Sequence, residues 1–326
     1  MLVGIDTSCY TTSLSVIDPV SGVILYDLRR LLQVKLGQRG LRQSEAVFQH
    51  LQNLPELLDG GFSGISITAV VASTKPRPAP GSYLPVFKAG ASFGMTIAKI
   101  LGVPFLETSH QEGHIRAGLV GQTKVSQTFL AWHISGGTTE LLWVQTGETG
   151  YRIQKIGGSS DLQVGQFVDR VGVALGNPFP AGPNLEKMAL LSDTDKSLPV
   201  VTKGLTTSFS GPDSAAERLI QSGINGNDLA RMVFHCISHS LLKVTLEAVK
   251  EYKTYQVLVV GGVASNRIIR DKLYDQGLKS GIEFLFARPE LSSDNAVGVG
   301  FIGYDCLNGK DSTPSEILSK SEALRS

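Results

Sequence analysis

A strand, a small polar turn and a second strand open the chain at residues 4–17, and the same form returns at residues 129–144. A chain that repeats such a meander is constrained to build two related α/β halves rather than one continuous sheet. The local echo is Thr11-Thr12-Ser13-Leu14 against Thr138-Thr139-Glu140-Leu141. Each meander gains a third strand, at residues 23–31 and 151–156. Strands and helices then alternate, with apolar strands expected at residues 69–72 and 257–260. The reading is a duplicated β-β-β-α-β-α unit, with halves at residues 1–125 and 126–310 and a last helix or loose tail at residues 311–326. Coincidence of two short polar turns is the alternative, because the echo is only four residues long.

Helical patterns fit this layout. Residues 84–101 are rich in small residues (Ala89, Gly90, Ala91, Gly94, Ala98), as expected where a helix lies close on a sheet. Residues 228–250 carry Val233, Ile237, Leu241, Val244 and Val249 at helical spacing. Residues 295–307 are rich in glycine and valine and are expected to be buried. The apolar fraction of 42% and charged fraction of 18% are those of a globular enzyme, not of a disordered chain. A net charge of +1 excludes a molecule that is basic overall, although a local patch is allowed. Cys9, Cys236 and Cys306 are scattered, which argues against a disulfide framework and against cysteine-bound zinc. No apolar run approaches the roughly 20 residues of a membrane span, and the chain enters a strand without a charged leader. A cytoplasmic protein with no membrane partner is expected.

His110 and His114 stand four apart, after a short apolar strand at residues 103–106. On a helix both imidazoles share one face, a two-point metal grip that needs further ligands. The bland reading is a pair of surface or capping histidines. Asp294, after an apolar strand at residues 284–286, is a candidate third ligand, giving two histidines and one carboxylate with open positions. Its alternative role is a helix N-cap. A rival pair, His235 and His239, is offset from the apolar face of its helix and is expected to meet solvent or a neighbouring loop. The turns at residues 6–12 and 135–139 could each wrap a phosphate with backbone N–H groups, and are expected to face each other across a cleft. Each could equally be an ordinary hairpin turn. A third glycine turn, Gly261-Gly262, follows a strand and opens a helix. It could take a ribose or base edge, or serve only close helix packing. Arg29, Arg30, Lys35, Arg39 and Arg42 form a run without an intervening acid, either a nucleic-acid contact or a solvated loop.

Taken together, these motifs resemble the TsaD/Kae/glycoprotease family, which makes threonylcarbamoyladenosine in tRNA. The family's Gly-Ile-Glu-Thr-Ser-Cys start is similar to residues 4–9, and its His-x-Glu-Gly-His motif to His110, Glu112, Gly113 and His114. Its Val-Ser-Gly-Gly turn resembles Ile134-Ser135-Gly136-Gly137, and its Gly-x-x-Phe-Asp-Lys helix residues 165–170. Pro-Gly-Gly-Pro is matched by residues 180–183, Gly-Gly-Val-x-x-Asn-Arg by residues 261–267, and Cys-Thr-Asp-Asn by residues 292–295. The resemblance runs over nearly the whole chain. It implies an actin-like, sugar-kinase-like (ASKHA) fold of two duplicated halves around a nucleotide cleft. It also implies a divalent metal, iron or zinc, on His110, His114 and Asp294. ATP or threonylcarbamoyl-adenylate would lie on Ile134, Ser135, Gly136, Gly137, Thr138, Asp169, Gly182, Gly262 and Asn266.

The implied activity moves threonylcarbamoyl from its adenylate to a tRNA adenine amine. Partners of the family are tRNA, a small paralogous subunit and an ATPase subunit. The chain also departs from the pattern. Cys-Asp-Glu-Thr becomes Cys9-Tyr10-Thr11-Thr12, and Ser-Gly-Gly-His ends in Thr138. Phe-Ser-Gly-Leu-Lys becomes Phe209-Ser210-Gly211-Pro212-Asp213, and a Gly-Pro-Gly loop becomes the longer residues 75–81. These changes mark a diverged paralogue. The alternative to a transferase is therefore a regulatory or scaffold subunit that keeps nucleotide and metal. A metallopeptidase is disfavoured, because Glu112 falls roughly opposite His110 on a helix and not in a His-Glu-x-x-His arrangement.

Overall fold

Strand β1 (Leu2–Thr7) pairs antiparallel with β2 (Thr11–Ile17), Ile5 opposite Leu14, and β2 with β3 (Ile24–Leu31). The computed structural model describes residues 1–8, 10–34, 41–58, 64–147 and 150–309. Cys9, Lys35, Arg39 and the tail at residues 311–326 lie outside them. The meander is followed by α1 (Gln43–Leu58), β4 (Ala69–Lys75), α2 (Phe87–Leu101), β5 (Phe105–Ser109) and α3 (His110–Gly118). Strand order is β3-β2-β1-β4-β5, with β4 parallel to both β1 and β5. Val3, Ile5, Leu14, Val16, Val70 and Ala72 form one face of this sheet, packed with Leu54 of α1 and with Ala89 and Ala98 of α2. The small residues of α2 let it lie close: Gly90 N donates to Thr7 Oγ1 at 3.1 Å, and Thr7 Oγ1 donates to the Val86 carbonyl at 2.9 Å.

The second meander is β6 (Thr128–Ile134), β7 (Thr139–Gly147) and β8 (Gly150–Ser159). Then come α4 (Val164–Ala174), α5 (Gly182–Leu190), β9 (Val201–Lys203), β10 (Thr206–Ser208), α6 (Ser210–Gln221) and α7 (Gly226–Tyr252). The chain continues through β11 (Gln256–Val260), a single 3-10 turn (Gly262–Ser265), α8 (Arg267–Ser280), β12 (Glu283–Phe286), α9 (Pro289–Ser292) and α10 (Val297–Asn308). The second sheet runs β12-β11-β6-β7-β8-β10-β9. Its first five places repeat β5-β4-β1-β2-β3, and β11 is parallel to β6 and β12 as β4 is to β1 and β5. The duplication is therefore one of topology, not only of two turns. The core of this unit gathers Trp132, Leu141 and Phe167 around the buried Val233, Ile237, Leu241 and Val244 of α7, and Trp132 Nε1 donates to Thr245 Oγ1 at 2.9 Å.

By contacts the chain divides into two units, one of residues 1–125, 146–152 and 293 onward, the other of residues 126–145 and 153–292. Helix α10 thus belongs with the first sheet, although it follows the whole second sheet in sequence. No helix among the described residues is long and apolar enough to cross a membrane.

Candidate metal centre and glycine turns

Helix α3 starts abruptly where β5 ends, because Ser109 caps it. Glu112 N donates to Ser109 Oγ at 3.2 Å, and Ser109 N donates to Glu112 Oε2 at 2.9 Å, the reciprocal pair of a capping box. Glu112 Oε2 also accepts from Ser109 Oγ at 2.7 Å and from Thr108 Oγ1 at 3.1 Å. Its carboxylate is committed to the start of α3, which leaves no general base of a zinc peptidase in this motif. His110 becomes the first helical residue and His114 the same face one turn on, as their spacing predicts.

Their Nε2 atoms lie 3.1 Å apart, and Asp294 Oδ1 is 3.2 Å from His114 Nε2 and 3.6 Å from His110 Nε2. The three are a cluster able to hold a metal ion. The separations suit such a group, since donors bound at about 2.1 Å stand roughly 3.0–3.4 Å from each other. Asp294 is not an N-cap: Asn295 Oδ1 takes that role, accepting from Val297 N at 2.9 Å and Gly298 N at 3.4 Å. Asp294 Oδ2 instead accepts from Ser8 Oγ at 2.8 Å.

His110 Nδ1 is 2.7 Å from Asp6 Oδ2. Burial opposes the charged imidazole, but the Asp6 charge and hydrogen bond, with help from Asp294, outweigh it and lift the His110 pKa to about 9. Burial likewise acts against the Asp294 carboxylate. The His114 hydrogen bond, the charges of His110 and His114 and the Ser8 hydroxyl prevail and hold its pKa well below the usual range. The cluster is thus built to keep Asp294 ionised and to favour the charged form of His110.

A seam of close backbone contact fixes Asp294 relative to α3. A Cβ on Gly298 would stand 1.9 Å from the Gly113 carbonyl oxygen and 2.7 Å from Ala117 N. Only glycine at 298 lets α10 approach α3 this closely, and Asp294 lies on the segment that leads into α10.

The second unit holds the other sequence candidates. Ser135 N donates to the Thr138 carbonyl at 2.8 Å, closing the Ser135-Gly136-Gly137-Thr138 turn after Ile134. Gly165, on the first turn of α4, lies against it: Gly165 N donates to the Ser135 carbonyl at 3.2 Å, and a Cβ there would stand 2.5 Å from Gly136 Cα. A Cβ on Gly136, Gly137 or Gly262 would meet nothing within 4 Å, so these three backbones border open space. Asp169 Oδ1 accepts from Ala181 N at 2.8 Å, and the Gly182 N–H also bonds this carboxylate, whose pKa burial raises against those bonds. Asn266 caps α8, its Oδ1 accepting from Ile269 N at 3.0 Å. Asp169 and Asn266 therefore shape their turns with their own side chains.

Of the basic run, Arg29 pairs with Asp27 and donates to Ser293 Oγ at 3.0 Å, and Arg30 pairs with Glu56. Arg42 is exposed. His235 is buried on α7, with Nδ1 3.0 Å from the Lys196 carbonyl, so it meets a neighbouring loop and not solvent. At the departures from the family pattern, buried Asp213 accepts from Arg170 Nη1 at 3.0 Å. Thr12 Oγ1 lies 2.8 Å from His50 Nδ1. Asp6 and Ser8 escaped the sequence reading as side chains of the metal centre. The available signal was an acid and a hydroxyl at the end of an otherwise apolar buried strand.

Comparison with known proteins gives one consistent answer. The family model for tRNA N6-adenosine threonylcarbamoyltransferase (TsaD) matches residues 37–301. A tRNA N6-adenosine threonylcarbamoyltransferase of Persephonella marina (strain DSM 14350 / EX-H1) is 30% identical over 311 residues, covering 93% of this chain and 89% of that protein. Among solved structures, HypF of T. kodakarensis matches with a TM-score of 0.60 at 14% identity, over 97% of this chain and 49% of that one. This chain therefore spans about half the length of HypF. A ROK family glucokinase from Streptomyces griseus matches with a TM-score of 0.53 at 13% identity, over 92% and 98%. Component A of the Acidaminococcus fermentans (R)-2-hydroxyglutaryl-CoA dehydratase matches with a TM-score of 0.54 at 15% identity, over 94% and 98%. The structural likenesses show the fold alone, which is actin-like and sugar-kinase-like.

Proposed function

The chain belongs to the tRNA N6-adenosine threonylcarbamoyltransferase family, and from that premise we propose that it transfers threonylcarbamoyl from its adenylate to the exocyclic amine of a tRNA adenine. The observation that carries the reading is the convergence of His110, His114 and Asp294 within one unit of a chain that matches this family. In the reaction the amine nitrogen bonds to the carbamoyl carbon. The carbon–oxygen bond to phosphate breaks, AMP leaves with the electron pair, and the amine gives up a proton.

His110, His114 and Asp294 would hold one divalent cation, iron or zinc, which when bound supplies Lewis-acid polarisation and charge compensation for the acyl phosphate. The chain's own residues prepare that site. Asp6 accepts the Nδ1 proton of His110 and so presents its Nε2 lone pair, and Ser8 turns Asp294 so that Oδ1 faces the two imidazoles. For the nucleotide, the Ser135–Thr138 turn offers backbone N–H groups to phosphate, and the open flanks of Gly136 and Gly137 admit it. Asp169 fixes the Ala181–Gly182 backbone and retains acceptor capacity for ribose hydroxyls, because two donors do not saturate a carboxylate. Asn266 sets the start of α8 beside Gly262. Arg42 is the described member of the basic run left for a tRNA phosphate.

The proposed setting of the activity is the cytoplasm, and a small paralogous subunit and an ATPase subunit are its proposed partners. The test is to incubate the protein with divalent metal, threonylcarbamoyl-adenylate and unmodified tRNA, with and without those subunits, and to analyse nucleosides by mass spectrometry. Modified adenosine is expected. Its absence beside an active relative would sink the transferase reading.

A further inference from the structure

The end of β1 and the residue just after it each reach the candidate metal centre. Asp6 is 1% exposed, and its Oδ2 lies 2.7 Å from Nδ1 of His110. Among the described residues its Oδ1 has no hydrogen-bond partner, and Ser13 Oγ bonds the Asp6 backbone carbonyl, not the carboxylate. A carboxylate taken out of water is costly unless paired, and this one bonds a single side chain. Its hydrogen-bonding partner in the core is therefore His110, with the His50 imidazole also within electrostatic reach. Two residues on, Ser8 is 2% exposed and its hydroxyl donates to Asp294 Oδ2 at 2.8 Å. Residues two apart on extended chain project to the same side.

Neither residue can be a metal ligand beside the other three. Asp6 touches the ring nitrogen of His110 that points away from His114, and Ser8 touches the Asp294 oxygen not shared with His114. Each bond instead selects which atom its partner turns toward the centre. Nδ1–H on Asp6 leaves the Nε2 lone pair of His110 for a metal, and the Ser8 bond leaves Oδ1 of Asp294. Resting on the metal reading above, we propose that Asp6 and Ser8 are positioning residues, through which the end of β1 presets the tautomer of His110 and the rotation of Asp294 for a divalent cation. The arrangement also couples the centre to β1, which is held between β2 and β4 in the middle of its sheet.

The test is a cobalt(II) titration of the full chain after chelator treatment, following the visible ligand-field bands and heat of binding. Asp6→Asn keeps size and burial but removes the charge. It should weaken cobalt binding by about 10-fold and shift the bands, within the range for loss of an outer-shell partner. Asp6→Glu, the residue that the resembling family carries at this position, should recover most of the affinity and the wild-type bands. Ser8→Ala removes a single hydroxyl and should weaken binding severalfold, which keeps the test decisive if Asp6→Asn does not fold. Cobalt affinity within twofold of wild type and unchanged bands in Asp6→Asn and Ser8→Ala would overturn the proposal while leaving the metal reading intact. A wild-type chain that binds neither cobalt nor zinc would remove both.

Discussion

His110→Ala and Asp294→Ala each delete one of three converging donors, while His235→Ala deletes a histidine of identical spacing that bonds only a loop carbonyl. Cobalt or zinc binding should fall by more than the about 10–100-fold typical of outer-shell losses in the first two variants. It should stay unchanged in the third. Equal retention of metal in all three would show that the triad is not the site. The contrast also marks what was legible at this scale. His-x3-His announces a shared helix face, and both pairs do lie on helices, but spacing cannot say which pair meets a carboxylate. That depends on Asp294, 180 residues beyond His114, and on Asn295 taking the capping role that the sequence left open to Asp294. Asp6 and Ser8 were not legible as parts of the metal centre because an acid and a hydroxyl at the end of a buried strand do not say which residues they will meet. Their partners lie 104 and 286 residues away.

Elements carry two further predictions. Asp161 joins three of them: its Oδ1 accepts from Leu162 N at 2.6 Å, just before α4, and from Phe209 N at 2.9 Å, and its Oδ2 accepts from Ser208 and Ser210 at the end of β10 and the start of α6. Desolvation alone would raise its pKa, but the hydroxyl and amide donors outweigh it and hold the carboxyl below its ordinary range. A depressed native pKa contributes stability that is present above the unfolded value of about 4 and is lost as pH falls toward the native one. The Tm of the wild type should therefore drop more steeply between pH 5 and about pH 3 than that of Asp161→Asn. Parallel curves would refute the role given to this carboxyl. The second prediction concerns the seam between α3 and α10. Gly298→Ala would drive a methyl group to 1.9 Å from the Gly113 carbonyl oxygen, with backbone on both sides and no flexible side chain to yield. A loss of about 3 kcal/mol is expected, as for severe overpacking, together with weakened cobalt binding because Asp294 moves with α10. Chemical denaturation showing wild-type stability would mean that the two helices can separate freely. The glycine content of residues 295–307 predicted the burial of residues 295–304, whereas Cys306 and Leu307 at the end of the range are exposed. It could not name the partner, since a helix read as glycine-rich carries no record of which surface it will meet.

On the scale of the whole molecule, the duplication was legible because each half opens with the same local form, and strand pairing within a meander is a matter of neighbours in sequence. What local pattern cannot reveal is that residues 293–309 belong with the first sheet, after a detour through the second. Gly4 and Gly300 are in backbone contact, a Cβ on Gly4 standing 2.6 Å from Gly300 N. Gly303 lies on Val71, and Val299 and Phe301 are buried. Helix α10 thus covers the face of the first sheet opposite α1 and α2, and a parallel strand such as β4 is stable only when both its faces are covered. Removing residues 293–326 should consequently expose the central strands β1 and β4, while the second unit keeps its own core around α7. Amide hydrogen exchange of the shortened chain should show protection lost across β1, β2 and β4 and retained in β6, β7 and β11. The same chain should bind no cobalt, since it lacks Asp294 and the helix that carries it. Protection in β1 and β4 equal to that of the full chain would show that the first sheet closes without α10. The long return of the chain would then serve only to deliver Asp294 to the two histidines.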